Sequence, residues 1–185
     1  MSEVTQQDSS SIRGDIHITE REILTDENGD ILYDDDGRPF LGNVVGEFEE
    51  KNIILNQGRG LFLRAASGDI NSAVKTIKIG KDVGTGTLLI PQQPTGSLTE
   101  AAQDVVYITP EAEFFITYPT TNSVRYLATI NGANVMTGYP TLPNVVYTSA
   151  SIHTLGGKSI TYKRFPARTI SSLISVDISW TITLT

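Results

Sequence analysis

His17 and His153 are the only imidazoles in this chain. Neither has a second histidine or a glutamate at the spacing that zinc binding needs. His17 lies in an acidic stretch, and His153 stands between Ile152 and Thr154 in a strand-like run. There is no cysteine, which removes thiol nucleophiles, thiolate zinc sites, iron–sulfur clusters and disulfides. No Gly-x-Ser-x-Gly elbow occurs. Gly156-Gly157-Lys158-Ser159 looks like the end of a phosphate-binding loop, but Ile152 occupies the place of that loop's first glycine. It reads as a turn. Gly84-Thr85-Gly86 lacks the third glycine of a dinucleotide fingerprint, and Arg13-Gly14-Asp15 is an integrin-type tripeptide of a length that chance supplies. The inventory therefore predicts a non-enzymatic chain, with no catalytic, cofactor-binding or metal-binding residue assigned.

The acids are the other candidates for chemistry. Asp26, Asn28, Asp30, Asp34, Asp35 and Asp36 crowd a short stretch. An EF-hand loop starting at Asp26 would need glycine at its sixth position and glutamate at its twelfth, where Ile31 and Gly37 stand. Two acidic hairpin turns explain the cluster, with a looser oxygen-rich calcium site as the open alternative. Lys158, Lys163, Arg164 and Arg168 gather before the last strand and make a better partner for an acidic segment than for nucleic acid. Tyr118, Tyr126, Tyr139, Tyr147 and Tyr162 offer a core, an interface or a sugar-stacking surface.

These side chains must be held by β-structure. Val176, Ile178, Trp180, Ile182 and Leu184 alternate with polar residues, as in a long half-buried strand. Val74–Ile79 alternates too, and 105–109, 114–118, 126–130, 145–148 and 159–163 are rich in branched and aromatic residues. Asn28-Gly29 and Asp36-Gly37 mark tight hairpins. Ile53–Leu55 reads as a strand running into a short helix that Asn56 can cap and Gly68 can end. Residues 91–104 read as a polar loop, and no repeat of fixed period is visible.

Of the 185 residues, the first 50 hold 14 acidic and 3 basic side chains, a net of −11, against −7 for the whole chain. The remainder is thus net positive, at +4. Overall acidity opposes a general nucleic-acid surface, and no run approaches the roughly 20 apolar residues of a membrane span. Residues 1–13 are polar, so no secretory signal is expected. The expected fold is mainly β: a β-sandwich or jelly-roll-like domain over 43–185 with one short helix, preceded by an extended acidic arm over 1–42.

The segment Tyr162-Lys163-Arg164-Phe165-Pro166-Ala167-Arg168 and the strand Val176–Leu184 together resemble the closing part of small tailed-bacteriophage virion proteins. Asn52–Leu55 with Gly58-Arg59 and Leu61–Ala66 resembles their helix, and Ile77–Gly80 with Gly84–Thr87 resembles a strand and loop they share. The likeness runs loosely over 43–185. It implies a structural role at the neck, collar or tail, made in the host cytoplasm and located in the virion. It also implies a homo-oligomeric ring or trimer that meets other phage structural proteins. Capsid decoration, or a host- or carbohydrate-binding module of a fibre, is the alternative. Tyr162, Arg164, Phe165 and Arg168 are the expected interface residues.

Overall fold

The computed structural model describes residues 12–54, 56–82, 105–107 and 113–184. The strands are β1 (Ile12–Ile23), β2 (Leu41–Ile54), β3 (Val74–Asp82), β4 (Val105–Tyr107), β5 (Glu113–Thr120), β6 (Ser123–Asn131), β7 (Val145–Thr154), β8 (Ser159–Ile170) and β9 (Ile174–Leu184). Helix α1 spans Asn56–Ala66 and the short α2 spans Gly132–Thr137. The expected 91–104 loop and the Asn56 side chain lie outside the described residues. Among those described, no helix is long and apolar enough to cross a membrane.

A period of two builds the first sheet, ordered β5-β6-β9-β1-β2 and antiparallel throughout. Ile16 and Ile18 of β1, Tyr126, Ala128 and Ile130 of β6, and Val176, Ile178, Trp180 and Ile182 of β9 are all buried. Trp180 lies beside Ile16 on one flank and Tyr126 on the other. Such directly opposed pairs are the units that stabilise a sheet.

The second sheet runs β4-β3-β7-β8. At its end β2 leaves the first sheet and pairs Ile53 and Ile54 with Tyr162 and Thr161 of β8. One strand shared between sheets makes the corner of a sandwich. Ile77, Ile79, Ile152, Ile160 and Phe165 join the first sheet's apolar residues in a single core. Phe165 bridges the two layers: its ring lies 5.2 Å from Phe48 and 5.7 Å, edge-on, from Tyr147. The protein is mainly β, a β-sandwich with one helix of any length, as the strand pattern predicts.

The boundary at residue 42 does not hold. Residues 12–23 are not an arm but an inner strand, and Ile16 and Ile18 are fully buried. The acid count of this segment hides its alternation: Asp15 and Glu22 take outward positions, Ile16 and Ile18 point inward, and the one inward acid, Glu20, is buried. Residues 1–11 lie outside the described part.

A repeat is also present after all. Residues 25–32 and 33–40 share the pattern x-Asp-x-x-Gly-x-x-apolar, eight residues apart. The two octads form successive hairpins that make a finger between β1 and β2. In each, the Asp N–H bonds the carbonyl four residues on, at 2.9 Å for Asp26 and 2.8 Å for Asp34. Gly29 and Gly37 close the loops at φ +88° and +76°, a region that disfavours side chains. Leu24, Leu32 and Phe40 tie the bases together in a cycle. Leu32 N–H donates to Leu24 O, Phe40 N–H to Leu32 O, and Leu24 N–H to Phe40 O, at 2.8–3.0 Å.

Candidate functional site

The four expected interface residues separate. Tyr162 and Phe165 are buried within their own domain, so neither side chain reaches a neighbour. Both sit on β8, a strand flanked by β7 and β2, and the core takes Phe165. Arg164 lies over the Tyr162 ring at 5.7 Å and donates to its hydroxyl at 3.2 Å. Arg168 turns inward to Glu20 of β1.

That inward cluster joins side chains from three strands, β1, β7 and β8. Arg168 Nε and Nη2 donate to the two Glu20 carboxylate oxygens at 2.8 and 2.7 Å, and Tyr147 O–H donates to Glu20 Oε1 at 2.5 Å. Burial foremost, then the bond to Glu20, pushes the Tyr147 phenol well above its ordinary pKa. A Cβ at Gly46 would stand 2.1 Å from Glu20 Oε2 and 2.5 Å from Arg168 Nη2, so the pair needs a glycine there. Lys163 reaches Glu50 of β2 and also donates to Lys51 O at 3.1 Å. Basic residues of the C-terminal half thus do meet acids of the first fifty residues, across the sandwich rather than through an arm. Each pair ties β8 to β1 or β2.

His153 is buried in β7. Its Nε2 lies 2.7 Å from Ser151 Oγ, and its Nδ1 faces Gly157 O at 3.4 Å. A carbonyl only accepts, so Nδ1 carries the hydrogen and Nε2 accepts from the serine. Burial, with a smaller contribution from Lys78, lowers its pKa to about 4 against the Gly157 bond. This serine–histidine pair is sealed inside the domain, out of reach of a substrate.

His17 has company that its sequence neighbours do not announce. Register sets it beside Glu49 of β2 and Ser179 of β9. On the outer face of the first sheet it lines a shallow cleft of ≈ 220 Å³ with Asp15, Glu49, Arg125 and Thr181. Asp15 is held by Arg13 at 3.3 Å. An adjoining cleft of ≈ 330 Å³ sets His17 near Phe115, Thr129 and Asp177. The acids therefore do not all sit in turns. Strand pairing brings two of them to a histidine, which only the register reveals.

The turn acids act as caps. Asp26 Oδ1 accepts from Asn28 N–H and Asp30 N–H at 2.9 Å, and Asp34 Oδ1 accepts from Asp36 N–H and Arg38 N–H at 2.9 and 2.8 Å. The Asp30 N–H foremost holds Asp26 below the usual carboxylate range, against a weaker opposing effect of desolvation. Among the described residues, no three His, Asp or Glu side chains gather as metal ligands.

A run of exposed apolar side chains also stands out. Leu24, Leu32, Tyr33, Phe40 and Leu41 are all exposed, and all belong to the finger or its junction with β2. Val44 and Val45 continue the exposure along β2. A shallow cleft of ≈ 400 Å³ at the finger's base adds Leu173. Contiguous exposed apolar surface marks an interaction site more often than scattered single residues do. Of the other described aromatic residues, Trp180, Tyr147, Tyr162 and Tyr126 are buried, whereas Phe115 and Tyr118 of β5 are exposed.

Comparison with protein-family models, with curated proteins and with solved structures gives no match for this chain.

Proposed function

We propose that this protein is a non-enzymatic structural subunit of a tailed-phage virion, which assembles with copies of itself into a symmetric oligomer at the neck, collar or tail. One observation carries the assembly part. The finger is built from two capped hairpins, yet it presents Leu24, Leu32, Tyr33, Phe40 and Leu41 to solvent. A free monomer gains nothing from ordering an apolar surface that stays wet. A subunit that buries it against a neighbour gains about 25 cal/mol per Å² removed from water. The virion part rests on the sequence resemblance over 43–185.

Sedimentation velocity over a range of concentrations tests the assembly. A closed oligomer of uniform size is expected, visible as a ring by negative-stain microscopy. Leu32→Ser with Phe40→Ser should return it to monomer while leaving the thermal melt cooperative. A wild-type chain that stays monomeric at every concentration overturns the reading.

One arrangement favours a second reading, a carbohydrate-binding module. Exposed Phe115 and His17 share the outer-face cleft with Thr129 and Asp177, and Thr129 Oγ1 donates to Asp177 at 2.7 Å. An aromatic face beside hydroxyl and carboxylate groups is the chemistry that holds a sugar ring. Binding on a glycan array that Phe115→Ala abolishes would favour this reading over assembly.

A further inference from the structure

The molecule has two chemically opposite poles, set apart by one strand. At one pole stands the finger. Residues 24–40 hold six acids and one base: Asp26, Glu27, Asp30, Asp34, Asp35 and Asp36 against Arg38. Strand β2 begins there and runs 14 residues. At ~3.3 Å per residue an extended strand of that length covers roughly 45 Å. Helix α1 starts two residues after β2 ends.

That second pole is basic. Arg59, Arg64 and Lys158 are exposed there, against the single acid Asp69 in residues 56–73. Lys158 belongs to the β7–β8 turn. The turn is fastened to the segment after α1 by Leu155 N–H donating to Ala73 O and Gly156 N–H to Asn71 O, both at 2.8 Å. Arg64 and Lys158 line one shallow cleft of ≈ 250 Å³ with Gly60 and Leu61. Around it the surface is apolar: Leu63 is 72% exposed and Ile70 69%, with Leu155 also exposed.

Each pole is therefore an apolar patch with charge, and the charges are of opposite sign. We infer that the acidic finger of one copy seats on the basic α1 pole of the next, a head-to-tail contact between identical chains. The finger's Leu32, Tyr33 and Phe40 cover Leu63, Ile70 and Leu155, and the carboxylates at its tips meet Arg59, Arg64 and Lys158. The separation of the poles keeps a chain from satisfying itself. Two different surfaces meeting make a heterologous contact, which closes into a ring when the rotation per step divides a full turn. Exposed charges of opposite sign steer the encounter and set the register, and salt weakens them. This inference rests on the self-assembly proposed above and names the surfaces that would produce it.

The test reverses charge at one pole at a time, sparing the turn-capping Asp26 and Asp34. The finger variant carries Glu27→Lys, Asp35→Lys and Asp36→Lys. The pole variant carries Arg59→Glu, Arg64→Glu and Lys158→Glu. All six side chains are exposed, and circular dichroism with a thermal melt checks that both variants fold. Sedimentation equilibrium of each variant alone should show association at least tenfold weaker than wild type. An equimolar mixture should recover it, because every finger then finds a pole of opposite sign.

Three outcomes overturn the inference. If wild type assembles and both variants assemble equally well, the head-to-tail contact is wrong and self-assembly stands on another surface. If only the finger variant fails, the contact is finger to finger. A monomeric wild type removes the assembly reading and this one with it.

Discussion

The strands around Trp180 and the strands around His153 share antiparallel pairing and bury different chemistry. In the first sheet, β1, β6 and β9 bury one face with isoleucine, valine and aromatic rings and leave the other polar. In the second, β7 is buried at every position from Ser149 to Thr154, and β8 at every position from Ser159 to Lys163. Both faces are dry there, so the polar half of the alternation is buried as well: Ser149, Ser151, His153, Ser159, Thr161 and Lys163. Alternation of type is thus not alternation of exposure. A polar residue on a strand leaves water when its face is covered, and it then needs a partner. His153 has Ser151 and Lys163 has Glu50, whereas Ser149 Oγ has none among the described residues.

The largest effect expected is in the apolar sheet. Trp180→Ala empties the centre of β9 and should cost about 3–5 kcal/mol by urea unfolding. A loss below about 1 kcal/mol would mean that the two sheets do not close on this side chain.

Next comes the tie between the sheets. Arg168→Met leaves the Glu20 carboxylate buried against Tyr147 without its cation and should cost about 3 kcal/mol. Adding Glu20→Gln removes the stranded charge, keeps an acceptor for Tyr147, and should restore much of the loss. If the double variant is no better than the single, the damage is lost packing and the pair is not the tie.

Acid sharpens the contrast further. The folded His153 pKa is about 4, below the 6.5 of a free imidazole. Between those two values the unfolded chain binds more protons, so stability is present above pH 6.5 and drains away as pH falls toward 4. His153→Gln should flatten that fall by on the order of 2–3 kcal/mol in unfolding measured against pH. An identical pH slope in the variant would mean that His153 is hydrated.

Ser149→Ala is the smallest change. It removes a buried hydroxyl that has no partner among the described residues, so the protein should gain up to about 1 kcal/mol. A clear loss would reveal a bond to that hydroxyl.

Much of the fold was legible from residue order. The alternation from Val176 to Leu184 predicts β9, Ile77 and Ile79 point inward from β3 as their spacing requires, and Gly68, at φ +92°, follows α1 where a helix end was expected. Short-range rules sufficed because strand period and turn chemistry act within a few residues. The acidic count misled over residues 12–23, since composition ignores which face each residue occupies. Helix α2 escaped notice because Asn131-Gly132 reads as a turn, whereas Asn131 caps a helix by accepting from Ala133 N–H at 2.9 Å. Tyr162 and Phe165 looked like surface anchors by type, and the covering of β8 buried them.

Sequence by itself settled the class of structure, since alternating apolar residues punctuated by Asn-Gly and Asp-Gly have few other folds to adopt. It also ruled out thiol chemistry, for want of a single cysteine. Tertiary structure alone decided which polar residues meet: Glu20 with Arg168, Lys163 with Glu50, and His17 with Glu49. Those pairs join positions far apart in the chain. Their meeting depends on strand register and on how two sheets close over one core, which no local pattern encodes.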